Sequence, residues 1–378
     1  MAARDAVAGW VRGRGGRVIV PIHVVPAALE SYRSWSGIPL VTSGRGMSWA
    51  AGRGRSVRER AQSARGEAVE RQTILSRASG VMAAQTQLCG PVLEPRALGV
   101  DLPGERPDGV LPVTAELPVR WEKYTSVNEA EPVWVHEPLS NEDRFYDLTS
   151  NGTAVHRSAE LALRSATLEL IERDAFMAWW YGVSSARPLA VLTTTLTAGY
   201  NMTGVGVGDY ETVVLESRPG YFVLMCVVYV GGRDSPEGVV VGAAAGFEDE
   251  GVELPMKRAF DECVQAIDVM RLNAAVNSGR IAGPLGEYYT DPHRAVAVRE
   301  HVERSLSQPR TALLEEPLSI YSRCAPSAVD GYWFARVVAP EAVPFALQGH
   351  GLRRNHPSLH GQVLHTPDGL KPEEHPLG

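Results

Sequence analysis

Three blocks of the chain show the pattern of polar and apolar positions that is typical of helices. The first lies at about residues 56–72, begins with a serine and is rich in helix-forming residues. The second follows a turn, starts near Ser158 and extends beyond Phe176. The third lies at about residues 255–275. The pattern therefore predicts at least three helices, of which the second is long.

Strand-like runs separate these helices. Their β-branched and aromatic residues predict a strand at residues 17–25, a hairpin with its turn at residues 218–220, and a further strand from Gly238. Turn-forming residues predict loops at residues 43–54 and 98–113. Because the helices alternate with hairpins and not with single parallel strands, the pattern favours an α+β fold in which helices pack on mixed or antiparallel sheets.

Composition narrows the classes of function. Of the 378 residues, 37 are basic and 44 are acidic, and the net charge of -7 does not favour binding to nucleic acid or to anionic lipid. The four cysteines are far apart and form no CxxC pair, which indicates a reducing compartment. No apolar run is long enough for a membrane span or a signal peptide. We therefore expect a cytoplasmic protein with no membrane or nucleic-acid partner.

An internal repeat is the most informative feature of the sequence. Residues 63–71 and residues 165–173 share the pattern S-A-x-x-E-x-x-E-R. A weaker third copy places Ala259, Glu262 and Gln265 at the corresponding positions of the third predicted helix. All three copies lie on predicted helices, so the repeat is expected to present similar faces of three helices.

The repeated acids predict a metal site. Glu67 and Glu70 in the first copy, and Glu169 and Glu172 in the second, are three residues apart and so share one helical face. Two such helices brought together would place four carboxylates near one another, which is unfavourable unless cations neutralise them. Mg²⁺ prefers oxygen ligands of this kind. The repeat therefore predicts magnesium between the helices.

The same repeat also predicts a nucleotide. Magnesium in proteins is usually held by a few carboxylates together with substrate phosphates. Arg71 and Arg173 follow the second acid of each copy, where a planar guanidinium would bind phosphate oxygens. A single E-x-x-E-R segment is more often a solvated helix face with paired charges. The repetition, with matched serine and alanine positions, favours the metal and nucleotide site over that alternative.

Five motifs follow one another along the chain, at residues 44–46, 63–71, 150–152, 169–176 and 258–265. In their order and spacing they resemble the YcaO family, whose members use ATP to modify ribosomally made peptides. The resemblance covers roughly residues 40–350 and implies a YcaO-like fold with internally repeated helix motifs.

The resemblance also implies the residues of the ATP site. It implies that Glu67, Glu70, Glu169 and Glu172 coordinate Mg²⁺, and that ATP is held by Arg45, Ser63, Arg71, Ser150, Asn151, Gly152, Arg173, Arg258, Glu262 and Gln265. The implied reaction begins with attack of a nucleophile on a peptide carbonyl; the oxyanion is then phosphorylated by ATP, and phosphate leaves. Because the nucleophile belongs to the substrate, no Ser–His–Asp set is required, and none is apparent in the sequence.

Residues 176–179 and 336–340 are most similar to those of azoline-forming members, which convert Cys, Ser or Thr of a precursor peptide to thiazoline or oxazoline. Thioamide or macroamidine formation would use the same ATP site and stays open, as does a non-catalytic scaffold that binds a peptide or partner. Three positions depart from the family pattern. Arg45 replaces a common lysine and keeps its charge, His156 replaces a glycine and would crowd the nucleotide, and residues 371–378 keep a remnant of a PxPxP tail.

The resemblance divides the chain into three parts. These are a short N-terminal extension at 1–40, an ATP-binding catalytic domain at 41–350, and an irregular tail rich in proline and histidine at 351–378. About forty residues precede the first motif, fewer than a separate leader-binding domain needs. We therefore expect an E1-like or winged-helix partner protein that recognises the leader of the precursor peptide. A homodimer is a further open alternative.

Overall fold

The computed structural model describes seventeen stretches of the chain: residues 6–13, 16–24, 36–42, 46–50, 57–76, 80–98, 114–126, 131–136, 151–190, 207–233, 238–276, 292–309, 312–327, 329–343, 345, 356–359 and 361–367. The predicted loop at 98–113 lies outside these ranges except for its first residue, and the terminal segment 371–378 lies outside them entirely. The predicted domain limit at residue 350 also lies outside them.

The first four strands form an antiparallel sheet in which each strand pairs with the next. They are β1 (Ala6–Gly13), β2 (Gly16–Val24), β3 (Ser36–Thr42) and β4 (Gly46–Ala50). β2 confirms the strand predicted at 17–25. The predicted loop at 43–54 is wrong for residues 46–50, because their Met-Ser-Trp-Ala sequence suits a strand once β3 lies beside it. The predicted domain limit after residue 40 falls inside β3.

Four helices confirm and extend the predicted ones. They are α1 (Val57–Ser76), α2 (Ala159–Trp180), α3 (Glu253–Val276) and α4 (Pro292–Ser305). The hydroxyl oxygen of Ser158 caps α2 by accepting a hydrogen bond of 3.4 Å from the Leu161 amide. Within the described ranges, no helix combines the length and apolar character that a membrane crossing requires.

Two further sheets complete the fold. Their strands are β5 (Val81–Ala83), β6 (Val92–Leu93), β7 (Val119–Ser126), β8 (Val133–His136), β9 (Thr153–His156), β10 (Ala186–Pro188), β11 (Val207–Leu215), β12 (Tyr221–Val230), β13 (Val239–Phe247), β14 (Tyr321–Pro326) and β15 (Trp333–Val338). The larger sheet has the order β6-β8-β7-β14-β15-β9 with β5 on β7, and it is mixed because β6 and β8 run parallel. The smaller sheet, β10-β11-β12-β13, is antiparallel.

The hydrophobic core lies between the smaller sheet and the helices. Strands β12 and β13 are buried along almost their whole length, and both α2 and α3 contact them. The C-terminal half of α2 is completely buried from Phe176 to Trp180. α2 also contacts β9, β14 and β15, so it joins the two sheets. This arrangement confirms the predicted α+β fold, the hairpin at 218–220 and the strand that follows Gly238.

A glycine lets α3 lie directly on β13. A Cβ atom added at Gly242 would lie 2.1 Å from the carbonyl oxygen of Ala259 in α3 and 2.8 Å from the Cβ of Glu262. Any larger side chain would therefore push the helix away from the strand. The close approach fixes the position of the predicted site residue Glu262.

Candidate functional site

Four glutamates on three helices approach one another. Glu70 lies on α1, Glu169 and Glu172 on α2, and Glu262 on α3; each is partly exposed. The pKa of Glu169 is raised well above its ordinary value, first by burial of its carboxylate and then by the negative charge of Glu70, with smaller contributions from Glu172 and Glu262. Arg173 opposes this rise. The repeat therefore does bring carboxylates of separate helices together, in a partly buried group.

The carboxylates suit a metal ion that is also coordinated by water and substrate phosphates. Within the described ranges, no group of three or more Cys, His, Asp or Glu side chains is arranged to hold a metal ion by itself. Mg²⁺ usually takes only one or two carboxylates and completes its shell with water and substrate phosphates. Partly buried acids that repel one another are the donors that such an ion would stabilise.

Glu70 is oriented by the strand that precedes α2. The hydroxyl of Thr153 in β9 donates a hydrogen bond of 2.8 Å to Oε1 of Glu70. Gly152, just before it, has a φ of 71°, and an added Cβ would lie 2.3 Å from the carbonyl oxygen of Val337. The amide of Val337 donates to the Gly152 carbonyl at 2.8 Å. The predicted Asn151-Gly152 turn therefore places Thr153 against Glu70.

Glu262 is oriented by the strand beneath α3. The backbone amide of Ala243 in β13 donates to Oε2 of Glu262 at 3.2 Å. This contact is within reach because Gly242 allows the close approach of helix and strand. Sequence reasoning missed both Thr153 and Gly242; the turn before Thr153 and the run of small residues in β13 were the signals available for them.

Arg173 lies at the edge of the same group. Its Nε is 3.8 Å from Oε1 of Glu172, and its guanidinium lies 5.1 Å from the ring centre of Phe345. Only 13% of its side chain is exposed. Its positive charge lowers the pKa of Glu169, so Arg173 is close enough to that carboxylate to offset part of the surrounding negative charge.

The other predicted site residues on α1 and α3 are exposed or partly exposed. Ser63 and Glu67 on α1, and Gln265 on α3, are partly exposed. Arg258 is exposed near the start of α3. The hydrogen bond from Arg164 lowers the pKa of Glu250, and the charge of Arg258 makes a smaller contribution in the same direction.

Five further positions singled out in the sequence are Arg45, Arg71, Ser150, Asn151 and His156. Asn151 is partly buried. Arg45 and Ser150 lie outside the described residues, as does the side chain of Arg71. His156 is exposed, and its Nδ1 accepts a hydrogen bond of 3.3 Å from the amide of Ser158, so its ring lies against the first turn of α2.

A buried ion pair adjoins the site and was missed by sequence reasoning. The guanidinium of Arg218, in the β11–β12 turn, donates to both carboxylate oxygens of Asp174, at 2.7 and 3.2 Å. Both side chains are almost fully buried. Burial raises the pKa of Asp174, and the hydrogen bonds and charge of Arg218 oppose that rise. The pair holds α2 immediately after Glu172 and Arg173.

Comparison with known proteins identifies the family. Residues 51–323 match the family model described as YcaO cyclodehydratase, ATP- and Mg²⁺-binding. No curated protein matches the chain by sequence.

Several solved structures share the fold. YcaO from Methanopyrus kandleri bound with AMPPCP and Mg²⁺ has a TM-score of 0.60 and 18% identity, over 84% of this chain and 86% of that one. The E. coli microcin synthetase McbBCD complex with pro-MccB17 bound has a TM-score of 0.65 and 15% identity, over 94% and 95%. A heterocyclase in complex with substrate and cofactor has a TM-score of 0.63 and 17% identity, over 86% of this chain and 50% of that one. With its family model matched over well more than half of its length, and with this fold, the chain belongs to the YcaO family, whose members are ATP-dependent enzymes that modify peptides.

Proposed function

We propose that the chain is an ATP-dependent cyclodehydratase that converts Cys, Ser or Thr of a ribosomally made precursor peptide to thiazoline or oxazoline. The observation that carries the proposal is the approach of Glu70, Glu172 and Glu262 to Glu169, close enough for their charges to act on its carboxylate. The similarity to an AMPPCP- and Mg²⁺-bound YcaO supports the ligand, and the similarity to a microcin synthetase complex that holds pro-MccB17 supports the peptide substrate.

In this proposal the acids hold the metal. Glu67, Glu70, Glu169 and Glu172 bind Mg²⁺, and Glu262 joins them because its charge acts on Glu169. Hydrogen bonds from the Thr153 hydroxyl to Glu70 and from the Ala243 amide to Glu262 restrain two of these carboxylates. Mg²⁺ would relieve the repulsion that now raises the pKa of Glu169.

The remaining predicted residues hold the nucleotide. Arg173 orients phosphate oxygens from the edge of the carboxylate group, where its guanidinium offers several donors in one plane. The further contacts are assigned to Arg45, Ser63, Arg71, Ser150, Asn151, Gly152, Arg258 and Gln265. Bound Mg-ATP would supply the phosphoryl group that turns the amide oxygen of the substrate into a leaving group. The protein contributes mainly positioning and charge stabilisation, as in other phosphoryl transfers.

Two alternatives to cyclodehydration are another reaction at the same site and a non-catalytic role. Thioamide or macroamidine formation would use the same nucleotide site with another nucleophile. A non-catalytic scaffold would gain nothing from the clustered acids, since like charges on partly buried side chains lower stability. The retained cluster therefore favours an enzyme over a scaffold.

Mass spectrometry of the product tests the proposal. The protein is incubated with ATP, Mg²⁺ and a precursor peptide encoded near its own gene, and fragmentation locates any change. Loss of water at Cys, Ser or Thr supports cyclodehydration. Replacement of oxygen by sulfur in the presence of sulfide would instead assign thioamidation, and loss of water at the peptide's terminal amine would assign amidine formation. An unchanged peptide, with no ATP consumed, would favour the scaffold.

The proposal also includes a partner and a cellular setting. We propose that residues 41–350 act as the catalytic unit with a separate E1-like or winged-helix leader-recognition protein, as the homologous microcin synthetase itself is a complex. All four cysteines are free thiols, which agrees with a reducing, cytoplasmic environment. Full activity of the chain alone on its precursor would contradict the proposed partner.

A further inference from the structure

A buried ion pair connects four separate segments of the fold. Besides its two bonds to Asp174 in α2, Arg218 donates to the backbone carbonyls of Leu313 at 2.7 Å, Glu316 at 3.2 Å and Glu341 at 2.9 Å. The guanidinium thus uses all five of its donors. Removing it would leave a buried carboxylate and three carbonyls without these bonds, so the positions of the four segments depend on one another.

The ion pair fixes the segment that leads to Phe345. The amide of Val343 donates to Oδ1 of Asp174 at 2.6 Å, and Arg218 holds the carbonyl of Glu341. One bond therefore joins this segment to α2 directly, and the other joins it to α2 through Arg218, just before Phe345. Phe345 is partly buried and packs against the main core. Its ring is consequently held in place relative to α2.

The ring of Phe345 lies against the guanidinium of Arg173. The centre-to-centre separation of 5.1 Å is within the range of a cation–π contact. Arg173 directly precedes Asp174, so the helix that carries the arginine and the segment that carries the ring are tied together by the ion pair. The arginine is also 3.8 Å from Glu172 and acts on the pKa of Glu169.

We propose that Phe345 is a positioning residue that holds Arg173 toward the phosphates of the bound nucleotide, with the Asp174–Arg218 pair as its anchor. This inference rests on the proposed function of the carboxylate site. An arginine side chain has several freely rotating bonds, and a ring that limits its rotamers reduces the entropy lost on binding phosphate. Phe345 would therefore strengthen nucleotide binding without touching the nucleotide.

Calorimetric titration of AMPPCP with Mg²⁺ tests the inference. Restoring the rotamer freedom of one arginine side chain in the free protein corresponds to a rise in Kd of about 2- to 13-fold for Phe345→Leu. Phe345→Tyr keeps a ring and should bind as the wild type does. Arg173→Met should weaken binding, and adding Phe345→Leu to it should have no further effect, because the ring then has no guanidinium to hold.

A matched control removes a ring from a second arginine–phenylalanine pair on α2. The guanidinium of Arg164 lies 4.6 Å from the ring centre of Phe247, and Phe247→Leu should leave the Kd unchanged. Wild-type affinity in Phe345→Leu, or equal losses from this substitution with and without Arg173, would overturn the inference while leaving the nucleotide site intact. Failure of the wild type to bind AMPPCP would instead remove the proposed function, and the inference with it.

Discussion

Glu169→Gln should make the protein more stable in the absence of ligand and unable to gain stability from nucleotide. The pKa of Glu169 is raised well above its ordinary value because its carboxylate is buried beside three other acids. A glutamine has nearly the same shape as the protonated glutamate and carries no charge. The substitution therefore removes the repulsion and the metal ligand together.

The magnitude follows from proton linkage. From about pH 4.5 upward, the unfolded chain loses the proton of Glu169 while the folded protein keeps it. The contribution of Glu169 to stability then falls as pH rises toward the folded-state pKa, by up to about 1.4 kcal/mol per pH unit for one proton. Glu169→Gln abolishes this slope, so the variant and the wild type should agree near pH 4.5 and separate as the pH increases.

The assay is denaturant unfolding of both proteins at a series of pH values, with and without AMPPCP and Mg²⁺. Ligand at 100 times its Kd should add about 2.7 kcal/mol to the wild type and far less to Glu169→Gln. Glu300→Gln makes the same chemical change on an exposed position of α4 and should behave as the wild type. If the unfolding free energies of Glu169→Gln and the wild type changed in parallel with pH, the claim that the other carboxylates repel Glu169 would be refuted.

Three further substitutions test features around the site. Gly242→Ala should lower the unfolding free energy by about 1–3 kcal/mol and weaken AMPPCP binding, because the added methyl group pushes α3 away from β13. As a control, Gly66→Ala has open space on α1 and should raise the unfolding free energy by about 0.5–1 kcal/mol. Equal stabilities of the two variants would contradict the close approach of α3 to β13. Arg218→Met should lower the unfolding free energy by about 3–5 kcal/mol, because it leaves the buried Asp174 carboxylate without its partner. Adding Asp174→Asn should recover part of this loss in calorimetric melts. No recovery would show that the unpaired carboxylate does not cause the loss of stability. Burial and a nearby positive charge lower the pKa of His136 to about 4, so the contribution of His136 to stability should fall from pH 6.5 to 4 by up to about 1.4 kcal/mol per pH unit. The difference in unfolding free energy between the wild type and His136→Leu should therefore change with that slope; a difference independent of pH would contradict the lowered pKa.

Local rules predicted the helices and the acids they carry. The spacing of Glu169 and Glu172 within one turn is set by helix geometry and is visible in the sequence. Its repetition on α1 and, more weakly, on α3 was enough to predict that helices would share a site. Glu262 joined the carboxylates although the third copy matches least well, because the same face of each helix is used.

Contacts between distant segments could not be predicted in this way. Thr153 and Glu70 are 83 residues apart, and Asp174 and Arg218 are 44 apart, so neither pair follows from any local periodicity. Both depend on which strands pair and on how α2 lies between the two sheets. The strand at residues 46–50 was missed for the same reason, since strand formation depends on the partner beside it.

Calorimetric titration of ATP with Mg²⁺ into the wild type and into Glu172→Gln tests the central claim most directly. Glu172 lies within the carboxylate group, so the account predicts magnesium-dependent binding in the wild type that the substitution abolishes. Absence of binding in the wild type, with the leader-recognition partner also present, would contradict the nucleotide site and the chemistry proposed for it.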